Sequence, residues 1–308
     1  MRPFSSKAAR TAALVVRMAL GAVFVVSAVA KLCGIDEFEI YIFSFHLLPL
    51  SWAMVIARVV IVAELLVGIG LLANVAKRMV DVCAMLMLVC FTLFLGHAAL
   101  TGRTDSCQCM GALVELNPMQ SIVKNAFLLL ALVVGMGSRP WRWRLRWFMW
   151  LPVVLAATGS VFAISMPDNW FFGPSEEIYN AGQLDSSIAA GGELAPLKLD
   201  EGRHAVAFLS PGCQFCRMAD EKLTHICRRN GLDSAAFVYL VPAADSTVAP
   251  LTVDTSSFLR PSFQIPPMTF ALITYGQRPM LMLIEDGKVT ATCHYRNIDE
   301  KQLVNFLK

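Results

Sequence analysis

The chain has 308 residues, 56% of them apolar and 16% charged, with a formal net charge of +3. Soluble domains carry about a quarter charged residues, so a wholly soluble protein is excluded and a membrane protein, or a membrane half joined to a soluble one, is implied. Nine cysteines open disulfide, metal and redox chemistry.

Five apolar stretches fill the first half. TAALVVRMALGAVFVVSAVAK (11–31) covers the about 30 Å of a hydrocarbon core at 1.5 Å per helical residue. Ala28-Val29-Ala30 resembles a leader-cleavage site, but the run exceeds the about 7–15 residues of a leader's apolar region, so a retained span is expected. The second, third and fifth stretches are SWAMVIARVVIVAELLVGIGLLA (51–73), MVDVCAMLMLVCFTLFLGHAAL (79–100) and WFMWLPVVLAATGSVFAISM (147–166). The fourth, SIVKNAFLLLALVVGMG (121–137), is short.

Cytoplasmic loops are enriched in Lys and Arg. Arg2, Lys7 and Arg10 precede the first span, Lys77 and Arg78 follow the second, and Arg139, Arg142, Arg144 and Arg146 follow the fourth. With five spans these segments share one side. Of the other two loops, one is acidic (Asp36, Glu37, Glu39) and one has the single Arg103. The expected topology has a cytoplasmic N-terminus in a bacterial inner membrane. It places the 101–119 loop and the C-terminal half together in the oxidising periplasm. The WRWRLRW run (141–147) interleaves Arg with Trp at a helix end, which suits an anchor at the lipid bilayer surface and not nucleic acid.

Residues 167–196, rich in Gly, Pro and Ser, read as a juxtamembrane segment and linker, and 197–308 as a soluble α/β domain. GRHAVAFLS (202–210) is a strand pattern, and Met218, Ala219, Leu223 and Ile226 follow at helical spacing, with Gly231 as the C-cap. Cys213 therefore stands at a helix start directly after a strand, where unsatisfied N–H groups and the helix dipole favour a thiolate. Cys216, one turn in, is placed to resolve a mixed disulfide. AAFVYLV (235–241) is the next strand, RPMLMLIEDGKVTATCHYR (278–296) a hairpin turning at Asp286-Gly287, and IDEKQLVNFLK (298–308) a closing amphipathic helix. No second CxxC or His pair stands nearby at zinc spacing, so no metal is expected. A static disulfide is the alternative. Cys227 and Cys293 read as structural.

This element order resembles the thioredoxin fold over roughly residues 195–308. In that family the proline before the hairpin is cis and faces the active-site disulfide, a role the resemblance gives to Pro279. Residues 244–270, rich in Ser, Thr and Pro, fit poorly and read as an insertion. Arg278 stands where many members have a small or β-branched residue.

In the first 137 residues Arg17, Gly21, Lys31, an acidic aromatic loop ending in LLP, Glu64 and the CQCMG stretch (107–111) occur together. The set resembles the DoxX-like families, most closely the methylamine-utilisation MauE family, whose members carry Cys-x-Cys-aromatic-Gly between their third and fourth helices. Met110 replaces the aromatic. The resemblance implies a four-helix membrane domain over 1–140, followed by a fifth helix within 141–166, and a role in maturing a disulfide-rich periplasmic partner. A fold-level likeness to the quinone-linked vitamin K epoxide reductases adds quinone as the candidate cofactor, with none bound covalently.

A disulfide across one residue is a small strained ring, hence labile. Cys107 and Cys109 thus join Cys213, Cys216 and Pro279 as the expected catalytic set; two separate loop thiols are the alternative. Three residues are candidate accessories. Cys33, at the outward end of span one, suits a shuttle thiol. Glu64, near mid-span, suits a proton relay or pairing with Arg58 or Arg17. His97 suits proton transfer or a plain helix-end role. Cys83 and Cys90, seven apart, read as packing residues. The expected function is membrane-bound thiol–disulfide exchange with periplasmic proteins that carry cysteines. An outward reductive pathway and a non-enzymatic binding module are the alternatives.

Overall fold

The computed structural model describes residues 7–101, 117–138, 150–167, 178–243, 252–254 and 258–308. The chain divides into two units, Met1–Ile42 with Ala53–Met166, and Phe43–Trp52 with Pro167–Lys308.

In the first unit, α1 (Lys7–Cys33) is followed by the short α2 (Ile35–Phe43), α3 (Leu50–Ala73), α4 (Lys77–Leu100), α5 (Pro118–Gly135) and α6 (Trp150–Ile164). Four of these, α1, α3, α4 and α5, are long and apolar enough to cross a membrane, whereas α6 has 15 residues. Asn117 starts α5: its Oδ1 accepts from Gln120 N at 2.9 Å, the Gln120 side chain accepts from Asn117 N at 3.1 Å, and Pro118 occupies the first turn. The acidic stretch expected as a loop after α1 is instead the helix α2. Asp36 and Glu37 lie in its first turn, where the helix dipole favours them, and Ile35 and Phe38 bury against Ala57 and Ile61.

Helices α1 and α3 meet backbone to backbone. A Cβ on Gly21 would lie 2.9 Å from the Gly68 carbonyl oxygen, and one on Gly68 would lie 3.0 Å from that of Gly21. Small residues at such crossings let apolar helices approach closely when lipid offers no hydrophobic drive.

Charge inside this unit is paired. Lys31 Nζ donates to Glu64 Oε1 at 2.8 Å, to Glu64 Oε2 at 2.9 Å and to Ser27 Oγ at 2.7 Å. Arg17 pairs with Asp81 and Arg58 with Glu39, all four buried. Arg58 also donates to the carbonyls of Ser165 at 2.8 Å and Met166 at 2.9 Å, the chain just beyond α6. These pairings correct the expected partners of Glu64. Arg58 lies six residues before it, off its helical face, and Arg17 lies 14 residues before Lys31, about 21 Å deeper along α1. Cys83 and Cys90 do not pack inside the bundle. Both are exposed on α4, whose buried stripe is Val80, Asp81, Ala84 and Leu88.

The second unit contains α7 (Ala181–Ile188), β1 (Arg203–Phe208), α8 (Gln214–Asn230), β2 (Phe237–Pro242), β3 (Thr252–Asp254), β4 (Ser262–Ile265), α9 (Pro267–Thr274), β5 (Met280–Glu285), β6 (Lys288–His294) and α10 (Glu300–Leu307). Its sheet has the order β3-β4-β2-β1-β5-β6. The β1–β2 and β2–β4 pairs are parallel, and β1–β5, β5–β6 and β3–β4 are antiparallel. Strand residues alternate between faces. Val206, Phe208, Val238, Leu240, Met280 and Met282 cluster with Leu184 and Ile188 of α7 and Phe270 and Ile273 of α9. Ala207, Leu209 and Leu281 meet Ala219 and Leu223 of α8 on the other side.

Two expectations change here. From residue 178 the supposed linker is folded, with Leu184, Ile188 and Leu194 in the core. The supposed insertion supplies β3, β4 and α9, extending the sheet beyond β2. Two of its prolines, Pro266 and Pro267, begin α9, outside β4, where they do no harm to the ladder.

Gly68→Val tests the close crossing of α1 and α3. The added branches meet backbone, and overpacking of this kind costs about 1–3 kcal/mol. A lowered thermal midpoint of the full chain in detergent is expected, with a smaller effect from Gly96→Val, where a Cβ meets nothing within 4 Å.

Candidate redox site

Strand β1 ends at Phe208, and Leu209 N still bonds to Leu240 O at 2.9 Å, which fixes the start of the following turn. Gly212, at φ +78°, supplies a left-handed residue in Ser210-Pro211-Gly212, a conformation costly for other residues. Cys213 is the N-cap of α8. Its N–H donates to Ser210 O at 3.2 Å, and its Sγ accepts the N–H of Cys216 at 3.3 Å. A thiolate on Cys213 is thus met by an amide dipole at the positive end of a 17-residue helix.

Cys216 has the opposite environment. It is fully buried, and burial, followed by the hydrogen bond with the Cys213 thiol, pushes its pKa up to about 12. Both are free thiols. One sulfur is therefore half-buried at the helix start with an amide hydrogen directed at it, and its neighbour one turn inside is buried with its pKa raised. That asymmetry suits attack by the first and resolution by the second.

Three groups surround the pair. Phe215, between the cysteines, is 46% exposed and stacks on Tyr295 with ring centroids 5.1 Å apart. The Arg278–Pro279 peptide is cis, and Pro279 lines a small apolar crevice with Ala207, Leu209 and Tyr295. Arg278 Nη1 lies 3.4 Å from Ser210 Oγ.

One turn beyond Cys216 on α8 lies Asp220, a buried carboxylate the sequence reading passed over. Leu259 N donates to its Oδ2 at 2.8 Å and Thr224 Oγ1 to its Oδ1 at 3.3 Å. Burial outweighs these donors and raises its pKa. Its signal in the sequence is the i, i+4 spacing from Cys216, which puts both on the inner face of the helix.

The remaining expected residues belong to the first unit or lie outside the described residues. Cys107 and Cys109 lie outside the described residues. Cys33 is exposed at the end of α1 and His97 is exposed in the last turn of α4. Glu64 is buried with Lys31 and Ser27, and Lys31 Nζ stands 5.8 Å from the ring centroids of both Phe38 and Phe91. Lys31 is the further member that the sequence reading did not link to Glu64. Among the described residues no three His, Cys, Asp or Glu side chains are grouped to hold a metal ion.

Four helices long and apolar enough to cross a membrane, followed by a mixed α/β domain of thioredoxin-like order, define a membrane protein with a thioredoxin-like domain. Residues 9–138 match the family model described as "Methylamine utilisation protein MauE", so the membrane half is a MauE family domain. The chain is also similar to Protein TlpB of Flavobacterium psychrophilum, with 25% identity over 271 residues, covering 70% of this chain and 72% of that one. No solved structure matches it significantly.

The raised pKa of Asp220 has a definite sign. The folded unit favours the neutral carboxyl, so stability is present at low pH and falls as pH rises from the ordinary carboxylate value of about 3.9 through the raised folded value. Asp220→Asn keeps an acceptor for Leu259 N and removes the charge. The variant is expected to exceed the parent by roughly 1 kcal/mol at pH 7 and to match it at the acid end. Hydrogen exchange of the α8 amides against urea at the two pH values measures the difference.

Proposed function

We propose that this chain is a thiol–disulfide oxidoreductase of the bacterial inner membrane, with its thioredoxin-like domain in the periplasm. The observation that carries the proposal is the split environment of the Cys-x-x-Cys pair: Cys213 Sγ accepts an amide hydrogen at the start of α8, and Cys216 is buried one turn inside.

In the oxidative direction a substrate thiolate attacks Cys213 Sγ of the Cys213–Cys216 disulfide. The S–S bond of the pair breaks, and Cys216 leaves and takes a proton. A second substrate thiolate then attacks the substrate sulfur of the mixed disulfide. The substrate gains a disulfide, Cys213 leaves as a thiolate, and two electrons rest on the pair. With its pKa raised, the released Cys216 sulfur ends as the protonated thiol. Cys107 and Cys109, in the loop expected on the same side of the membrane, take up those electrons by a second exchange. The MauE family match over residues 9–138 and the extended similarity to Protein TlpB support one architecture for both parts.

A lipid-soluble quinone is the acceptor this direction implies for the bundle. The groups there with suitable chemistry are Lys31, Glu64 and Ser27, a buried donor–acceptor set walled by Phe38 and Phe91. When bound, a quinone accepts two electrons and two protons. Lys31 Nζ donates to both Glu64 carboxyl oxygens, and the Phe38 and Phe91 rings flank it.

Rapid acid trapping of Cys216→Ala is expected to capture a mixed disulfide between Cys213 and a periplasmic protein. No such adduct, or the same adduct in Cys213→Ser/Cys216→Ala, would remove the proposed reaction. The relay also requires a shared compartment. A membrane-impermeant thiol reagent applied to intact spheroplasts is expected to label reduced Cys107, Cys109 and Cys213 alike; labelling of Cys213 alone breaks the hand-off.

A further inference from the structure

The rim of the redox site carries a guanidinium that no carboxylate pairs among the described residues. Four other arginines, Arg17, Arg58, Arg203 and Arg229, each form an ion pair with an Asp or Glu. Arg260 lies 4.6 Å from the ring centroid of Phe237. Arg278 has neither kind of partner among the described residues. Its contact is the long one to Ser210 Oγ at 3.4 Å. A guanidinium has five N–H donors, so most of its capacity is uncommitted.

Its place is set by the fold. Strand β5 begins at Met280 and pairs with β1, whose end leads into Ser210 and Cys213. Arg278 therefore stands at the mouth of the site, exposed, while Pro279 beside it is buried. Ser210, which it touches, accepts the Cys213 N–H through its carbonyl. Arg278 is also the charged side chain whose field reaches Cys216. A cation with open donors next to a reactive sulfur attracts an anion on whatever brings the second sulfur.

We propose that Arg278 sets substrate specificity, favouring protein cysteines that have an Asp or Glu beside them. This rests on the proposed exchange at Cys213, and it names the class of partner that exchange prefers. The carboxylate docks on the Arg278 guanidinium and the partner's sulfur is presented to Cys213 Sγ. The same intermediate, a Cys213–partner disulfide, forms in either direction of exchange. When reduced Cys213 attacks an activated partner disulfide, a bond forms between Cys213 Sγ and the partner sulfur, the partner's S–S bond breaks, and the leaving thiolate carries away the electron pair.

The test uses the full chain in detergent with both cysteines reduced. Three peptides carry one cysteine activated as its thionitrobenzoate disulfide, and differ only in flanking residues: two Asp, two Lys or two Gln. Release of thionitrobenzoate at 412 nm reports attack, and the part lost in Cys213→Ser belongs to this site. At low salt the Asp peptide is expected to react about threefold faster than the Lys peptide, the scale of one exposed ion pair, and salt should shrink the ratio. Arg278→Gln should bring the ratio to one, Arg278→Glu should invert it, and Arg278→Lys should restore much of it. A residue with a purely structural role would change all three rates together and leave the ratio alone. If the Gln peptide reacts through Cys213 but the ratio is already one in the parent, the inference is wrong and the exchange stands. If no peptide reacts through Cys213, the exchange itself fails.

Discussion

One amide hydrogen organises the site. The N–H of Cys216 points back to Cys213 Sγ because Cys213 caps α8, and it caps α8 because β1 ends four residues before a left-handed glycine. A helix start leaves its first N–H groups without internal partners, and here a sulfur takes one of them. The same turn of helix buries the second cysteine. Two thiols three residues apart thereby acquire different surroundings, one at the helix start with an amide hydrogen directed at it and one buried with its pKa raised.

The membrane unit follows another constraint. Water is absent from a hydrocarbon core, so a charge there must be answered by another side chain or a backbone group. Lys31 is answered by Glu64 and Ser27, and Arg58 by Glu39 and the carbonyls after α6. Removing one member of a buried pair costs far more than the pair contributes. These contacts therefore specify which helices are neighbours more than they add stability. Gly21 and Gly68 do the same by shape, since α1 and α3 come as close as their backbones allow.

Much of this was readable in residue order, for reasons that differ by element. Long apolar runs announced α1, α3, α4 and α5 because hydrocarbon thickness dictates length. The strand, CxxC and helix sequence announced β1 and α8 because each pattern is local. The acidic stretch after α1 was misread because Asp36 and Glu37 look like loop residues until their helix-start position is known. β4 and α9 were hidden by flanking prolines that in fact only punctuate them. Cys83 and Cys90 looked like core because spacing shows that residues share a face but not which way the face looks.

Composition and local order alone determined that part of this chain enters a membrane, that an α/β domain follows, and that Cys213 opens a helix. Each of these depends on properties of a short segment. The partners of Glu64, the burial of Asp220 on the inner face of α8, and the placing of Arg278 beside Ser210 were decided by tertiary structure. They join residues 33 positions apart in one case and 68 in another, and a pairing across such distances follows only from how whole helices and strands pack.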